Sequence, residues 1–316
     1  MEFILPLAVS FAITVSLMPF FIGYFHYRQI GQTTREEGPL WHEVKTGTPT
    51  MGGTVFVIAI LITLLFSAWI MNLLNIQVAM ILASFLLFGG IGFIDDFISI
   101  FKKQNEGLTA RQKFLTQLLF SALIVVLGII GRVGLSLPLG FMTVTNGLII
   151  LAFGIMWITG FSNAVNLTDG LDGLATGLNI IAYSAYYYLA MRLNNLSVAL
   201  ACFIVIGSLF GFLFYNKKPA KIFMGDVGSL SLGAGLAVIS LLLNNPWSLL
   251  ILGIVFIIET VSVILQVFSY KTTGKRIFKM APIHHHFEMS GWSESKVVFV
   301  FWLIGLIASI LYFAIF

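Results

Sequence analysis

Five aspartates are the residues of this chain best suited to chemistry, and each flanks a long apolar segment: Asp95, Asp96, Asp169, Asp172 and Asp226. Counting the apolar segments as membrane crossings places all five at the same membrane face. A carboxylate beside hydrocarbon is costly unless it faces protein or a water-filled cavity, so such acids indicate function. Their convergence on one face predicts a metal-dependent site for a phosphorylated substrate.

Asp95 and Asp96 end the run Gly89-Gly-Ile-Gly-Phe-Ile-Asp-Asp. Adjacent residues of a helix point about 100° apart, so we expect one carboxylate to meet a metal and the other a substrate group. The alternative is that both merely end a helix, although acids at a helix C-terminus oppose its dipole. The next loop adds cations that serve either substrate binding or membrane topology: Lys102, Lys103, Arg111 and Lys113.

A third stretch on this face, residues 163–173, contains Asn and Asp where basic residues are expected. Amides such as Asn166 suit a nucleobase or sugar, and carboxylates suit ribose hydroxyls or a metal. The alternative is capping, because Asp169 would cap a helix that starts near Thr168 and Asp172 would lie in its first turn. The Asp-x-Asp-x-Asp-Gly spacing of an EF-hand is absent, which excludes that motif.

Asp226 opens an apolar segment, and an acid at a helix N-terminus suits Mg²⁺ with phosphate, although a simple cap is the alternative. Phe223 lies just outside this segment and could stack on a base. A histidine triplet precedes the last apolar segment: His284, His285 and His286. Imidazole does not suit Mg²⁺, so we interpret the triplet as phosphate donors or a proton relay, with a polar exposed loop as the alternative.

The first loop of this face, residues 31–53, combines Gly, Pro and Thr with Lys45. Its backbone N–H groups, left unpaired just before a helix, suit an anion, and an ordinary turn is the alternative. No Walker A loop is present, because the Gly274-Lys275 pair is followed by Arg276 in place of Ser or Thr.

Membrane helices must position these residues. The chain is 59% hydrophobic and 9% charged, with a mean hydropathy of +1.00, which predicts an all-α polytopic membrane protein. The single Cys202 excludes an internal disulfide, and the short connections predict one integral-membrane domain over residues 1–316. About ten runs are long enough to cross a bilayer, at roughly 3–24, 52–74, 77–100, 114–132, 146–162, 173–191, 196–215, 227–243, 247–270 and 296–316.

The distribution of Lys and Arg predicts the orientation. Of the 17 such residues, Arg132 and Arg192 lie on the other face, which leaves 15 on the face of the aspartates. By the positive-inside rule that face is cytoplasmic and both termini lie outside. Glu259 falls about halfway along the ninth run and is interpreted as a helix–helix contact or as a bend that lines a lipid groove.

Five stretches, in this order, resemble the phospho-N-acetylmuramoyl-pentapeptide-transferase family of the polyprenyl-phosphate N-acetylhexosamine-1-phosphate transferase superfamily. The resemblance runs from residue 31 to the C-terminus. The superfamily shares the Asp motifs, whereas the first and last stretches favour the muramoyl-pentapeptide branch. The stretches are Lys45-Thr-Gly-Thr-Pro-Thr-Met-Gly-Gly, Phe-Ile-Asp95-Asp96, Asn-Ala-Val-Asn166-Leu-Thr-Asp169-Gly-Leu-Asp172-Gly-Leu-Ala, Phe223-Met-Gly-Asp226 and Pro-Ile-His284-His-His-Phe-Glu288.

The resemblance implies a reaction of bacterial peptidoglycan synthesis. UDP-N-acetylmuramoyl-pentapeptide and undecaprenyl phosphate would give undecaprenyl-diphospho-N-acetylmuramoyl-pentapeptide and UMP, with Mg²⁺ as the cofactor. It also implies a multi-pass protein of the bacterial plasma membrane that binds no nucleic acid and could form a homodimer.

The resemblance implies roles for single residues. Asp226 would be the metal ligand, Asp95 would deprotonate or position the lipid phosphate, and Asp96 would support the metal or catalysis. Phe223 would stack on uracil, and the three histidines would belong to an essential loop, with the catalytic one left open. The nucleoside and diphosphate would be surrounded by Lys45, Asn166, Asp169 and Asp172, and Lys113 is placed in the substrate site with them.

One position departs from the family pattern. Ser99 stands where many relatives carry a Lys, so a phosphate-binding role there is in doubt, and Lys102 or Lys103 is the alternative source of charge. Two other functions are considered: a sister enzyme that takes UDP-N-acetylglucosamine to a polyprenyl phosphate, and a secondary transporter. Transporters usually show internal repeats and ionisable residues near the midplane, whereas this sequence has its acids at one face and shows no repeat.

Overall fold

The computed structural model describes residues 3–28, 47–102, 107–140 and 142–316, and these are almost wholly helical. The predicted all-α polytopic architecture is confirmed. The elements in chain order are α1 (Ile4–Tyr27), α2 (Gly53–Ile70), α3 (Ile76–Lys102), α4 (Ala110–Ile130), β1 (Leu137–Pro138), β2 (Thr143–Val144), α5 (Gly147–Thr168), α6 (Leu174–Arg192), α7 (Leu196–Asn216), α8 (Gly225–Leu242), α9 (Ser248–Leu252), α10 (Ile254–Thr273), α11 (Ile283–Glu288) and α12 (Glu294–Ile315).

Ten helices of the described ranges account for the ten predicted crossings. Nine are long and apolar enough to span a membrane, and α6 is the tenth. α6 runs beside α12 from end to end: the Asp172 N–H donates to Glu294 at 2.9 Å before α6 begins, and Arg192 at its last residue donates to the carbonyl of Phe316 at 3.5 Å. Most residues of α6 are buried among other helices.

Four helices that end at the face opposite the aspartates, α2, α4, α6 and α8, share one termination. In each, the backbone N–H two residues after the C-cap donates to the carbonyl five positions earlier, as the Leu73 N–H does to Ala68 at 2.8 Å. This is the Schellman arrangement, which needs one residue with positive φ, a conformation that asparagine tolerates. The endings of α2, α4, α6 and α8 place Asn72, Arg132, Asn194 and Asn244 there.

α8 is the central helix of the bundle, and small residues let its neighbours approach it closely. A Cβ at Gly92 of α3 would lie 2.2 Å from the carbonyl of Asp226, and a Cβ at Gly53 of α2 would lie 2.2 Å from the nitrogen of Gly228. From α5, the Ser162 hydroxyl donates to an α8 carbonyl at 3.1 Å. These contacts fix the first turn of α8, which carries Asp226, against three other helices.

The ninth apolar run, predicted as one segment over 247–270, is divided by Gly253 into the short α9 and the long α10. Glu259 lies in α10, on the half of the helix nearer Gly253. It faces His284 at 3.1 Å, and His284 packs on Gly170 just beyond the end of α5. The depth of Glu259 within the membrane stays a prediction. The expectation of a helix–helix contact at Glu259 is confirmed.

Candidate active site

Three of the five aspartates meet where α3 and α8 cross. Asp95 and Asp96 lie about one turn beyond Gly92, whose backbone touches that of Asp226. One oxygen from each of the three carboxylates lies within 4.8 Å of the other two. The 100° between adjacent helix residues therefore does not force the pair to serve separate groups, because α8 brings Asp226 within reach of both.

The two α3 carboxylates are oriented by backbone donors from other elements. The Leu108 N–H, just before α4, donates to Asp95 Oδ1 at 2.8 Å. The Val227 N–H, in the first turn of α8, donates to Asp96 Oδ2 at 3.3 Å. Each carboxylate keeps a second oxygen for other partners, so the backbone fixes these groups without satisfying them completely.

Lys113 lies in the first turn of α4, at the junction of the acids. The helix begins at Ala110, earlier than the predicted 114, because Thr109 and Gln112 form a reciprocal capping box around its polar first turn. The Lys113 ammonium donates to Asp226 Oδ2 and lies 3.6 Å from Asp95 Oδ2. A lysine at α4 thus places a cation beside Asp95.

The sequence did not decide which basic residue supplies the positive charge beside the aspartates. Ser99 is described and has partners of its own. Lys45, Lys103 and the side chain of Lys102 lie outside the described part of the chain, so their predicted roles are not tested. Among the described residues, the positive charge at the three carboxylates comes from Lys113.

Asn166 connects α5 to the same cluster. Its side-chain amide donates to Asp226 Oδ1 at 2.7 Å and to the hydroxyl of Ser229 at 2.9 Å. α5 continues to Thr168, six residues beyond the predicted end of the apolar run at 162. Polar side chains of this last turn find partners on α4 and α8, as Asn163 does with Gln117 at 2.8 Å, so the helix continues after the apolar run ends.

The segment before α2 forms another wall of the site. Its backbone runs along the segment before α8: the Phe223 N–H donates to Pro49 at 2.8 Å, and the Gly52 N–H donates back to Phe223 at 2.9 Å. Gly225 has φ +72°, and a Cβ there would lie 2.4 Å from Asp96 and 3.1 Å from the hydroxyl of Thr50. The half-buried Phe223 is thus held beside the carboxylates, and its predicted contact with uracil stays a prediction.

Asp169 and Asp172 both precede α6, so Asp169 does not cap that helix and Asp172 does not lie in its first turn. Asp169 is the residue after α5, and α6 begins at Leu174 after Gly173, whose φ is +77°. Asp172 is buried, and its carboxylate accepts from the Ala220 N–H at 3.0 Å. Asp172 thus joins the turn before α6 to the connection between α7 and α8, and the substrate-binding roles of both aspartates stay predictions.

The histidine triplet forms the helix α11, so the exposed-loop alternative is wrong. Each ring has a different partner. His284 is fully buried and faces Glu259; His285 Nδ1 lies 2.9 Å from Glu288 Oε2; His286 Nδ1 accepts from the backbone N–H of Lys279 at 3.1 Å. Contact of α11 with the site comes through Gly170, one residue beyond Asp169.

Three glutamates that support the site were missed as functional residues. Glu259 and Glu288 face histidines of α11, and the buried Glu294 lies 3.0 Å from Lys218 while it accepts from Asp172. Glu259 and Glu288 follow apolar residues in the sequence, which gave a signal, since a buried carboxylate needs a partner. The identity of each partner depends on helix packing, which the sequence does not specify.

The comparisons with known proteins agree with this arrangement. A model of glycosyl transferase family 4 matches residues 78–244. The phospho-N-acetylmuramoyl-pentapeptide-transferase of Lactobacillus acidophilus is 53% identical over 98% of this chain and 96% of its own length. The enzymes of that name from Enterococcus faecalis and Enterococcus hirae are 52% and 48% identical, each over 98% of this chain and 96% of its own length.

The chain belongs to the phospho-N-acetylmuramoyl-pentapeptide-transferase family. The three carboxylates and Lys113 lie within the region matched by the family model, on α3, α4 and α8. The histidine helix lies beyond it, and the full-length relatives extend the similarity over that part of the chain. The chain is therefore a membrane-embedded transferase whose polar site lies at one end of its helical bundle.

Proposed function

We propose that this protein transfers phospho-N-acetylmuramoyl-pentapeptide from UDP-N-acetylmuramoyl-pentapeptide to undecaprenyl phosphate and releases UMP. The observation that carries the proposal is the cluster of Asp95, Asp96 and Asp226 around Lys113 at one end of a membrane bundle. A site there is open to a lipid acceptor from the bilayer and to a soluble nucleotide from the aqueous phase. The names of relatives at 48 to 53% identity support the muramoyl-pentapeptide branch over the N-acetylglucosamine branch.

Mg²⁺ is the proposed cofactor, and the donor set fits it. Asp95, Asp96 and Asp226 offer three hard carboxylate oxygens within 4.8 Å of one another, which is the ligand type that Mg²⁺ prefers. A bound Mg²⁺ would neutralise phosphate charge and stabilise the charge that develops on the leaving UMP. The family resemblance favours Asp226 as the ligand, and Lys113 and Asn166 hold its two oxygens in place.

Four residues of the chain are proposed to bind and orient the two substrates. Both substrates are anions, so the Lys113 ammonium lowers the repulsion between donor diphosphate and acceptor phosphate. Asp95 is held through Oδ1 by the Leu108 N–H, and its Oδ2, which faces Lys113, would position or deprotonate the acceptor phosphate. Asn166 holds Asp226 in place, and Phe223, whose backbone is paired on both sides, is positioned to stack on the uracil ring.

The proposed location is the bacterial plasma membrane with the site at the cytoplasmic face. The 15 Lys and Arg on the side of the aspartates support this orientation, because cytoplasmic loops are enriched in basic residues. The nucleotide substrate is made in the cytoplasm, which requires the same orientation. The homodimer implied by the family resemblance stays a prediction.

Purified protein in detergent, supplied with undecaprenyl phosphate and Mg²⁺, tests the proposal. UMP release from UDP-N-acetylmuramoyl-pentapeptide, together with a lipid-linked product, is the expected result. UMP release from UDP-N-acetylglucosamine alone would contradict the branch assignment in favour of the sister enzyme. No UMP release from either nucleotide would contradict the transferase proposal itself.

A further inference from the structure

Glu259 of α10 and His284 of α11 form a contact that is separate from the cluster of Asp95, Asp96 and Asp226. Both side chains are completely shielded from solvent, and Glu259 Oε2 lies 3.1 Å from His284 Nδ1. Within the described part of the chain, none of the side-chain oxygens of Glu259 and neither ring nitrogen of His284 has a hydrogen-bond partner. Glu259 Oε2 and His284 Nδ1 therefore face each other at ion-pair distance without a hydrogen bond, and Glu259 Oε1 and His284 Nε2 are buried with no hydrogen-bond partner.

The energetic cost of this arrangement indicates a role beyond packing. A buried carboxylate loses several kcal/mol of hydration unless it is paired, and an apolar side chain of similar size is often as stable. Val255 and Phe256, one turn earlier, are the buried apolar residues on the same face of α10 as Glu259, so an apolar residue here would match them. What the carboxylate adds is a fixed direction for one imidazole.

The opposite side of the His284 ring has no room to move. A Cβ built on Gly170 would lie 2.4 Å from His284 Nε2 and 2.9 Å from its Cε1. Gly170 directly follows Asp169, and Asn166 is four residues earlier on the same chain segment and bonded to Asp226. The ring is thus held between a carboxylate of α10 and the end of the helix that supports the site.

We propose that Glu259 is a positioning residue of the transfer reaction, which acts through His284 to hold the histidine helix α11 against Gly170. The inference rests on the proposed transferase function. Because His284 is fixed, the position of the whole helix α11 is fixed. His285 is then oriented by Glu288, and His286 by the backbone N–H of Lys279. Glu259 touches neither substrate in this arrangement.

Two pairs of variants test the proposal in the UMP-release assay. Glu259→Gln keeps the size of the side chain and removes its charge. Ser262→Ala is its control, because Ser262 is buried on the same helix and donates to the backbone carbonyl of Glu259, so that this variant leaves the Glu259 carboxylate in place. Gly170→Ala displaces the His284 ring from the other side. Its control is Gly160→Ala on α5, where a Cβ would have nothing within 4 Å.

We expect Glu259→Gln and Gly170→Ala each to lower kcat by about 10- to 100-fold, the scale found when the partner of a functional histidine is removed. KM for the nucleotide should stay close to wild type in both variants, and the double variant should lose no more kcat than the worse single one. The thermal midpoint of unfolding should stay close to wild type in Glu259→Gln, whereas Gly170→Ala should lower it through overpacking. Glu259→Asp, which restores the charge, should recover part of kcat. Both controls should behave as wild type.

Other outcomes separate the possible failures. Wild-type kcat in Glu259→Gln would overturn the positioning role while the transferase function stands. A kcat loss in Glu259→Gln matched by a fall in its thermal midpoint, with additive losses in the double variant, would show a purely structural contact and would overturn the proposal as well. If the wild-type protein releases no UMP, the proposed function fails and this inference fails with it.

Discussion

The ammonium group of Lys113 lies between Asp226 and Asp95, in contact with Oδ2 of the first and 3.6 Å from Oδ2 of the second. The two acids belong to different helices, α8 and α3, and the lysine to a third, α4. One cation therefore offsets the repulsion among carboxylates that three helices bring together. Because these carboxylates also form the proposed metal site, Lys113 and a divalent cation would be attracted to the same oxygens.

This relationship predicts that Lys113→Gln binds a divalent cation more tightly than the wild type does when no substrate is present. Removal of the ammonium ends its competition for Asp226 and Asp95. We expect an affinity increase on the order of tenfold, equivalent to about 1.4 kcal/mol. Electron paramagnetic resonance of Mn²⁺, titrated into purified protein, measures this binding directly and without turnover.

The matched control for Lys113 is Arg111→Gln, two residues earlier on α4, where the side chain is exposed. This variant removes the same formal charge from the same helix and should leave Mn²⁺ affinity near wild type. Equal affinity in Lys113→Gln and Arg111→Gln would contradict the competition. In the UMP assay Lys113→Gln should still be slow, since the substrate phosphates lose their cationic partner.

Asp226→Asn should abolish measurable turnover while the protein remains folded. The substitution keeps the shape of the side chain but removes the charge that binds Lys113 and the proposed cation. We expect kcat to fall by roughly 1000-fold or more, as when a group that stabilises transition-state charge is lost. Turnover and Mn²⁺ binding should be lost together, with the thermal midpoint retained as evidence of folding.

The control for Asp226 is Asp172→Asn. Its carboxylate accepts from the Ala220 N–H at 3.0 Å, and an amide oxygen can accept the same bond. We expect Mn²⁺ binding to persist in Asp172→Asn. Near-normal turnover in Asp226→Asn would remove Asp226 from the reaction and leave Asp95 and Asp96 as the remaining acids of the cluster.

Hydropathy predicted the number of membrane crossings well and the helix ends poorly. The residues of the site lie at those helix ends. Lys113 lies in a polar first turn of α4 that precedes the apolar run, and Asn166 lies in a polar last turn of α5 that follows one. A run of apolar residues ends before such a polar turn, so hydropathy leaves the turn out of the predicted helix. The helix continues because capping residues and partners on other helices satisfy its polar groups.

The distances among functional residues could not be predicted, because they arise where helices cross. The acids at 95, 96 and 226 were placed at one face from the sequence, but their separation depends on the contact of Gly92 with the backbone of Asp226. Glu259 shows the same limit. Its residue type was a signal, whereas its partner became clear only once α11 was packed against α5 and α10.

The crossing of α3 and α8 gives a prediction that does not depend on function. Gly92→Ala would place a methyl group 2.2 Å from the backbone of Asp226, so one helix must shift. Overpacking of this kind costs about 1–3 kcal/mol, which should lower the thermal midpoint. Gly90→Ala on the same helix has nothing within 4 Å of the new carbon and should be neutral. Equal midpoints for the two variants would contradict the close contact.

The predicted orientation can be tested with single cysteines. Cys202 is buried within α7, so the wild-type chain should resist a membrane-impermeant maleimide and provide the background. Thr145 lies in the exposed connection before α5, and Ser295 is exposed in the first turn of α12, at the opposite end of the bundle. In intact spheroplasts, Thr145→Cys should react with the reagent and Ser295→Cys should react only after the membrane is broken.

The reverse labelling pattern would place the carboxylate cluster on the outer face. It would contradict the orientation inferred from the 15 basic residues, and it would also separate the site from a cytoplasmic nucleotide. Labelling of Ser295→Cys after lysis is the internal control, because it shows that the thiol is reactive and was protected only by the bilayer. Since Ser295 follows Glu294, which accepts from Asp172, its protection in intact spheroplasts fixes the side of the site itself.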